Sequence, residues 1–302
     1  MQLKEFTRKV CEAMKKEFAV ASRIEVREIT KNNGVVLQGL MIATEERNVV
    51  PTVYLDSFWE AYEAGVPFAE IVRQLAEIYR SADCRKSMNM EFFRDFDKVK
   101  DNICYRLIGK KQNEKMLREI PHIDYLDLTV CFFYAFKEAP MGAASILIHQ
   151  SHMELWGVSV LDLLELAKKN TPRMFPGTVF SIDEVLEDCL DGREERENRE
   201  YAEFLQQIPM KILSNTAKIN GAVSVLYEGM LEKIGEQYGS DFYVLPSSVH
   251  ELILLPDTDD RTAEELKEIV METNRTQVAP EEVLSDSVYY YCRKEKVLKK
   301  IL

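Results

Sequence analysis

Residues Arg23 to Ala43, RIEVREITKNNGVVLQGLMIA, alternate in hydropathy on both sides of Asn33-Gly34, and this stretch restricts the fold more tightly than any other. Alternation of period two belongs to a strand with one face buried, and Asn-Gly accepts the positive φ of a tight hairpin turn. The two halves therefore read as the strands of a hairpin. Beyond the hairpin the chain obeys a recurring order. PTVYL from Pro51 reads as a strand, and DSFWEAYEAG as a helix capped by Asp56 or Ser57 and closed at Gly65. PFAEIVRQLAEIYR is a second helix with Phe68, Ile71, Leu75 and Ile78 on one face. ASILIHQSHMELWGVSVLDLLELAKKN from Ala144 repeats that order through Gly157, and GAVSVLY from Gly221 followed by EGMLEKIGEQYG begins it again. EVREIT, TVCFFYAF and MKILSNT each precede one turn. Together these predict a degenerate strand-turn-strand-helix unit used about three times. The class is α+β, with mainly antiparallel sheets covered by helices.

Apolar spacing elsewhere predicts an amino-terminal helix with Leu3, Phe6, Val10, Met14 and Phe18 on one face, and helical segments across Met88 to Leu117. DFYVLPSS and VHELILLP read as strands, TAEELKEIVMETN as a helix capped by Thr262, and DSVYYYCRK as a last strand. The run DGREERENREYAEFLQQ, ending at Gln207, is too charged to bury and reads as an exposed helix or linker. It separates residues 1–190, a helix-rich α+β region with two units, from 208–302, an α+β region with the third. One continuous domain fits the same letters, and a length of 302 residues allows either.

Acidic residues outnumber basic ones by 51 to 39, a net charge of -12, and that field repels a phosphate backbone. The densest basic run, CRKEKVLKK from Cys292, is short and reads as a solvated tail. The longest apolar run, LDLTVCFFYAF at Leu126 to Phe136, falls short of the roughly 18 residues of a membrane span. The first residues lack the continuous apolar segment of a secretion signal. Cys11, Cys84, Cys104, Cys131, Cys189 and Cys292 show no close pairing, as expected of reduced thiols in a cytoplasmic protein. The expected partner is a protein or small molecule rather than nucleic acid or membrane, and no cofactor is implied.

Four stretches carry candidate chemistry. In LPSSVHELILLP, Ser247 and Ser248 offer a nucleophile, His250 a base and Glu251 an orienting carboxylate. On an extended chain Ser248 and His250 share a face while Glu251 points away, and no glycine elbow exposes a serine. A serine pair bonding the backbone of a turn accounts for the same residues. In HQSHMELW, His149 and His152 are spaced to chelate a metal, with Glu154, His122, Asp124 or Asp127 as further ligands; Gln150 or Ser151 capping a helix is the alternative. TPRMFPG sets Arg173 where it clamps an anion, or else forms a rigid loop. In NRTQVAPEEVLSDSVYYY, Asn274, Arg275 and Gln277 are candidate donors of a pocket in which Tyr289 or Tyr291 stacks on a ligand; helix capping before tyrosines buried on one face explains the pattern equally. Neither GxxxxGK[ST] nor GxGxxG occurs, which removes the usual phosphate cradles.

PTVYLDSFWEAYEAG, MELWGVSVLDLLELAKKNTPRMFP, NGAVSVLYEGMLEKIGEQYGSDFYVLPSSVHELILLP and NRTQVAPEEVLSDSVYYY resemble a bacterial family catalogued as domain of unknown function 5688. The resemblance spans nearly the whole chain. It implies a bacterial cytoplasmic protein that forms one family-wide unit, and it carries no reaction, cofactor or catalytic residue. The residues point first to a binding or regulatory module whose carboxy-terminal sheet presents the SSVHE corner and the NRTQVAPEE segment. The alternative is a hydrolase using Ser248 or Ser247 with His250, or a metal-binding protein using His149 and His152.

Overall fold

The computed structural model describes residues 2–18, 23–43, 52–81, 91–136, 145–181, 210–246, 248–257 and 261–302. The run 191–207, with its expected linker, and Ser247, Cys84 and Cys189 lie outside them. The fold is α+β with antiparallel sheets. The chain divides into two compact units, residues 1–98 with 136–145, and residues 99–135 with 146–302.

In the first unit, α1 (Leu3–Glu17) buries Phe6, Val10 and Met14, one residue per turn of the same face. β1 (Arg23–Thr30) and β2 (Val36–Ala43) pair antiparallel from Arg23 opposite Ala43 to Thr30 opposite Val36. The connection is longer than the two-residue turn that Asn-Gly advertises. Lys31 N–H reaches Val35 O at 2.7 Å around a short 3-10 turn in which Asn33 (φ 60°) and Gly34 (φ 69°) are both left-handed. β3 (Thr52–Tyr54) adds to β2. α2 (Asp56–Glu63) comes next, and Asp56 caps a neighbour rather than its own helix, accepting Gln38 N–H at 2.7 Å. α3 (Phe68–Ser81) buries Ile71, Leu75, Ala76 and Tyr79, so Tyr79 completes the stripe expected of Ile78, which is exposed. The Tyr79 hydroxyl donates to Leu40 O. Phe6 packs among Trp59, Tyr62 and Phe68 at the centre of this core.

Past α4 (Phe96–Val99) the expected helical run ends, and Ile103–Gly109 is a strand, β4. The β-branched and aromatic letters ICYRLI decide this over the three-and-four spacing that also fits them. α5 (Glu114–Leu117) leads to β5 (His122–Tyr125) and to β6 (Leu128–Ala135). β6 is central, between β4 on one side and β5 and β7 (Ser145–Leu147) on the other. Every residue of β6 is buried, which explains the longest apolar run of the chain as a strand covered on both faces. Among the described residues no helix is long and apolar enough to cross a membrane.

α6 (Gln150–Trp156) closes at Gly157 (φ 67°), and α7 (Val160–Met174) runs along β4. The second sheet is six-stranded and antiparallel, composed of β8 (Gly177–Ser181), β9 (Lys211–Asn215), β10 (Phe242–Leu245), β11 (Leu252–Pro256), β12 (Tyr289–Cys292) and β13 (Val297–Lys300). Its order is β13-β12-β10-β11-β9-β8. The basic tail is therefore a paired strand, with Val297 opposite Cys292 and Lys300 opposite Tyr289, and the solvated tail is corrected. α8 (Met230–Tyr238) and α9 (Ala263–Thr276) stand where helices are expected, α9 capped by Thr262. GAVSVLY is not a strand: Gly221–Leu226 is a buried 3-10 turn. A Cβ at Gly221 would fall inside contact distance of Ser214 Oγ and of the His250 carbonyl, so only glycine lets this turn lie against β9. Cys11, Cys104, Cys131 and Cys292 are free thiols.

Candidate functional site

The SSVHE corner joins β10 to β11. Ser248 bridges to Val283, and its Oγ accepts the His250 amide at 2.9 Å, a local turn bond. His250 is half-buried. Its Nδ1 accepts the Asn220 amide at 3.2 Å, which assigns the ring proton to Nε2, and Nε2 faces Glu282 Oε1 at 3.3 Å. The His250 carbonyl accepts Ser214 Oγ at 2.7 Å. Glu251 is exposed, and the carboxylate that meets the imidazole is Glu282. The corner thus ties the end of β9 and the turn leading to α8 onto the segment before β12.

His149 and His152 sit at the start of α6. His152 Nδ1 accepts the His149 amide at 3.0 Å, its ring stacks on Trp156 with centroids 5.7 Å apart, and burial followed by His149 lowers its pKa. One nitrogen of the pair is thereby committed to a helix cap. His122, in β5, shares a hydrogen bond of 3.0 Å between Nδ1 and Ile120 O. No group of three or more His, Cys, Asp or Glu among the described residues could hold a metal ion. Arg173 belongs to the last turn of α7 and donates to Asp101 O at 2.5 Å and Asn170 Oδ1 at 3.1 Å.

Asn274, Arg275 and Gln277 diverge. Asn274 is buried and donates to Ser285 O at 3.0 Å and Asp286 Oδ1 at 2.8 Å. Arg275 is exposed on Glu272, and the Gln277 amide reaches Thr276 Oγ1 at 3.3 Å. Tyr289 and Tyr291 are core residues, 2% and 1% exposed, so stacking of either on a ligand is corrected. Instead Ser285, Ser287 and Tyr289, two residues apart on one face, converge on Asp127 between β5 and β6. The three hydroxyls donate at 2.8, 2.7 and 2.5 Å, and Lys300 Nζ stands 3.7 Å away. Burial alone would raise the Asp127 pKa; the three hydroxyls and the ammonium outweigh it and hold the carboxyl below its ordinary range.

The feature that composition and motif both miss is a groove of about 440 Å³ between β8 and α8, lined by Gly177 to Ser181, Lys211, Met230, Lys233, Ile234 and Gln237. Among the described residues β8 is the last strand of the six-stranded sheet. Thr216 N–H bonds Pro176 O at 2.9 Å, and antiparallel alternation then turns the main chain of Thr178 and Phe180 toward β9. The N–H and C=O of Gly177 and Val179 face the other way. Gly177 lets the helix come close, since a Cβ there would stand 2.6 Å from Met230 Cε. On α8 the groove-facing residues Met230, Lys233, Ile234 and Gln237 recur at three and four, one stripe of the helix. A wider concavity of about 550 Å³ runs along α9 among Glu265, Glu268, Ile269 and Glu272, but a lone helix face offers no strand edge. A model described as Family of unknown function (DUF5688) matches residues 3–293. No curated protein and no solved structure matches the chain.

Proposed function

From the premise that the chain belongs to the family of unknown function DUF5688, we propose that it is a binding or regulatory module that receives an extended segment of a partner protein along β8. The observation that carries this reading is the β8 edge itself, whose outward main-chain groups run beside the α8 stripe across a groove of about 440 Å³. A partner strand added there gains main-chain hydrogen bonds from the edge, while Met230 and Ile234 receive its side chains on the helix side. The SSVHE corner serves the same site indirectly. Through Nδ1 on Asn220 and the carbonyl on Ser214, His250 anchors the turn that delivers α8. Ser248 Oγ and both His250 nitrogens are occupied by the chain itself, and that supports a brace over a nucleophile and base.

The test is selection of short random peptides displayed on phage against the wild-type protein, scored against Val179→Pro. Proline at an outward-facing edge position leaves the β9 pairing intact but removes the amide that an added strand would use. Peptides that bind the wild type and are lost on Val179→Pro are expected. Enriched peptides that bind both equally, or no enrichment at all, would remove β8 from the function.

A further inference from the structure

The partner's chemistry can be read from the charges around the same edge. Resting on the reading of β8 as a docking edge, we propose that the docking segment is acidic, an extended strand whose carboxylates turn to the helix side of the groove. Lys211 and Lys233 line the helix side of the groove, and among the described residues no Asp or Glu lines it with them. Among the described residues Lys211 Nζ meets neutral groups, Gln237 Oε1 at 3.4 Å and the Tyr238 ring at 4.7 Å. Among the described residues neither lysine reaches a carboxylate, whereas Lys9, Lys98, Lys110, Lys168 and Lys299 each hold one.

Glu232 and Glu236 of α8 fall outside the stripe that faces the groove. Successive side chains of an added strand alternate faces, so one carboxylate of a Glu-Glu pair would turn toward Lys211 and Lys233. In a chain of net charge -12, a cationic edge of this kind selects against basic partners as well as for acidic ones.

The experiment is fluorescence anisotropy with two short dye-labelled peptides, one of repeated Val-Glu-Glu-Thr and one with lysine in place of each glutamate. Wild-type protein is expected to bind the glutamate peptide and not its lysine twin. Lys211→Glu with Lys233→Glu should weaken binding by about tenfold, the combined size of two exposed ion pairs. Lys211→Gln with Lys233→Gln, which keeps the side-chain length, should weaken it by less. Circular dichroism melting of each variant guards against loss of fold.

Equal binding of both peptides, or no change in either lysine variant, overturns the acidic partner. If binding of either peptide is nevertheless lost on Val179→Pro, the docking edge survives that result. Binding of the glutamate peptide that is indifferent to Val179→Pro overturns the edge, and the proposal with it. No binding of either peptide overturns the acidic partner, and the phage selection then decides the edge separately.

Discussion

Asp127 is the residue on which the second unit depends most visibly. It collects three hydroxyls from a segment that begins 158 residues further along the chain, all on side chains at most 7% exposed. Removing the carboxylate leaves those hydroxyls buried without an acceptor, a cost larger than the bonds themselves contribute. Asp127→Ala is expected to destabilise the protein by about 3 kcal/mol in urea unfolding. The pH dependence has a definite sign. The folded carboxyl titrates below its ordinary value, so its contribution is complete above the unfolded pKa of about 3.9 and is lost as pH falls through the folded one. Asp127→Asn should flatten that acid limb, and an unchanged slope in a pH series of urea melts would refute the assignment. SDSVYYY shows its period-two pattern in the sequence, and Asp127 stands there among other acids. Their pairing depends on tertiary approach, which one sequence does not display. Lys211 and Lys233 were equally silent, because a groove between a strand and a helix has no local signature.

At the scale of elements, β4 is held by a device that its own letters do not contain. It ends the four-stranded sheet, and an uncovered strand edge invites mispairing. α7 covers it with polar side chains. Thr171 Oγ1 accepts the Tyr105 amide at 3.0 Å and donates to Ala167 O at 2.7 Å, while Asn170 donates to Lys100 O and Ile103 O at 2.8 and 3.0 Å. Thr171→Val keeps the shape and strands a buried N–H. The expected loss is about 2 kcal/mol, with hydrogen exchange at Tyr105 accelerating more than elsewhere in β4; protection there unchanged would show that the hydroxyl is dispensable. Elements with end signals were legible. Thr262 capped α9, Gly157 closed α6, and the alternation around Asn33-Gly34 marked β1 and β2 as a hairpin. The failures share a cause. ICYRLI fits two periods at once, and the buried 3-10 turn at GAVSVLY copies a strand's composition because burial, not periodicity, chose its residues.

At the scale of the molecule, the partition into two units has a consequence for the amino-terminal one taken alone. Its buried cluster, Phe6, Val10, Met14, Ile24, Leu40, Ile42, Leu55, Ile71, Leu75, Ala76 and Tyr79, lies wholly within residues 1–98. So do all three strands of its sheet and the helices α1, α2 and α3. Among the described residues this stretch holds a core and a sheet of its own, the physical requirement for folding alone, although at this size its margin is small. Residues 1–98 expressed alone are therefore expected to melt cooperatively by circular dichroism and to give dispersed methyl resonances. Phe6→Ala in that fragment removes the ring around which Trp59, Tyr62 and Phe68 pack, at a cost of about 4 kcal/mol, enough to unfold so small a domain. A wild-type fragment without a transition would mean that this core needs the remainder of the chain to close it.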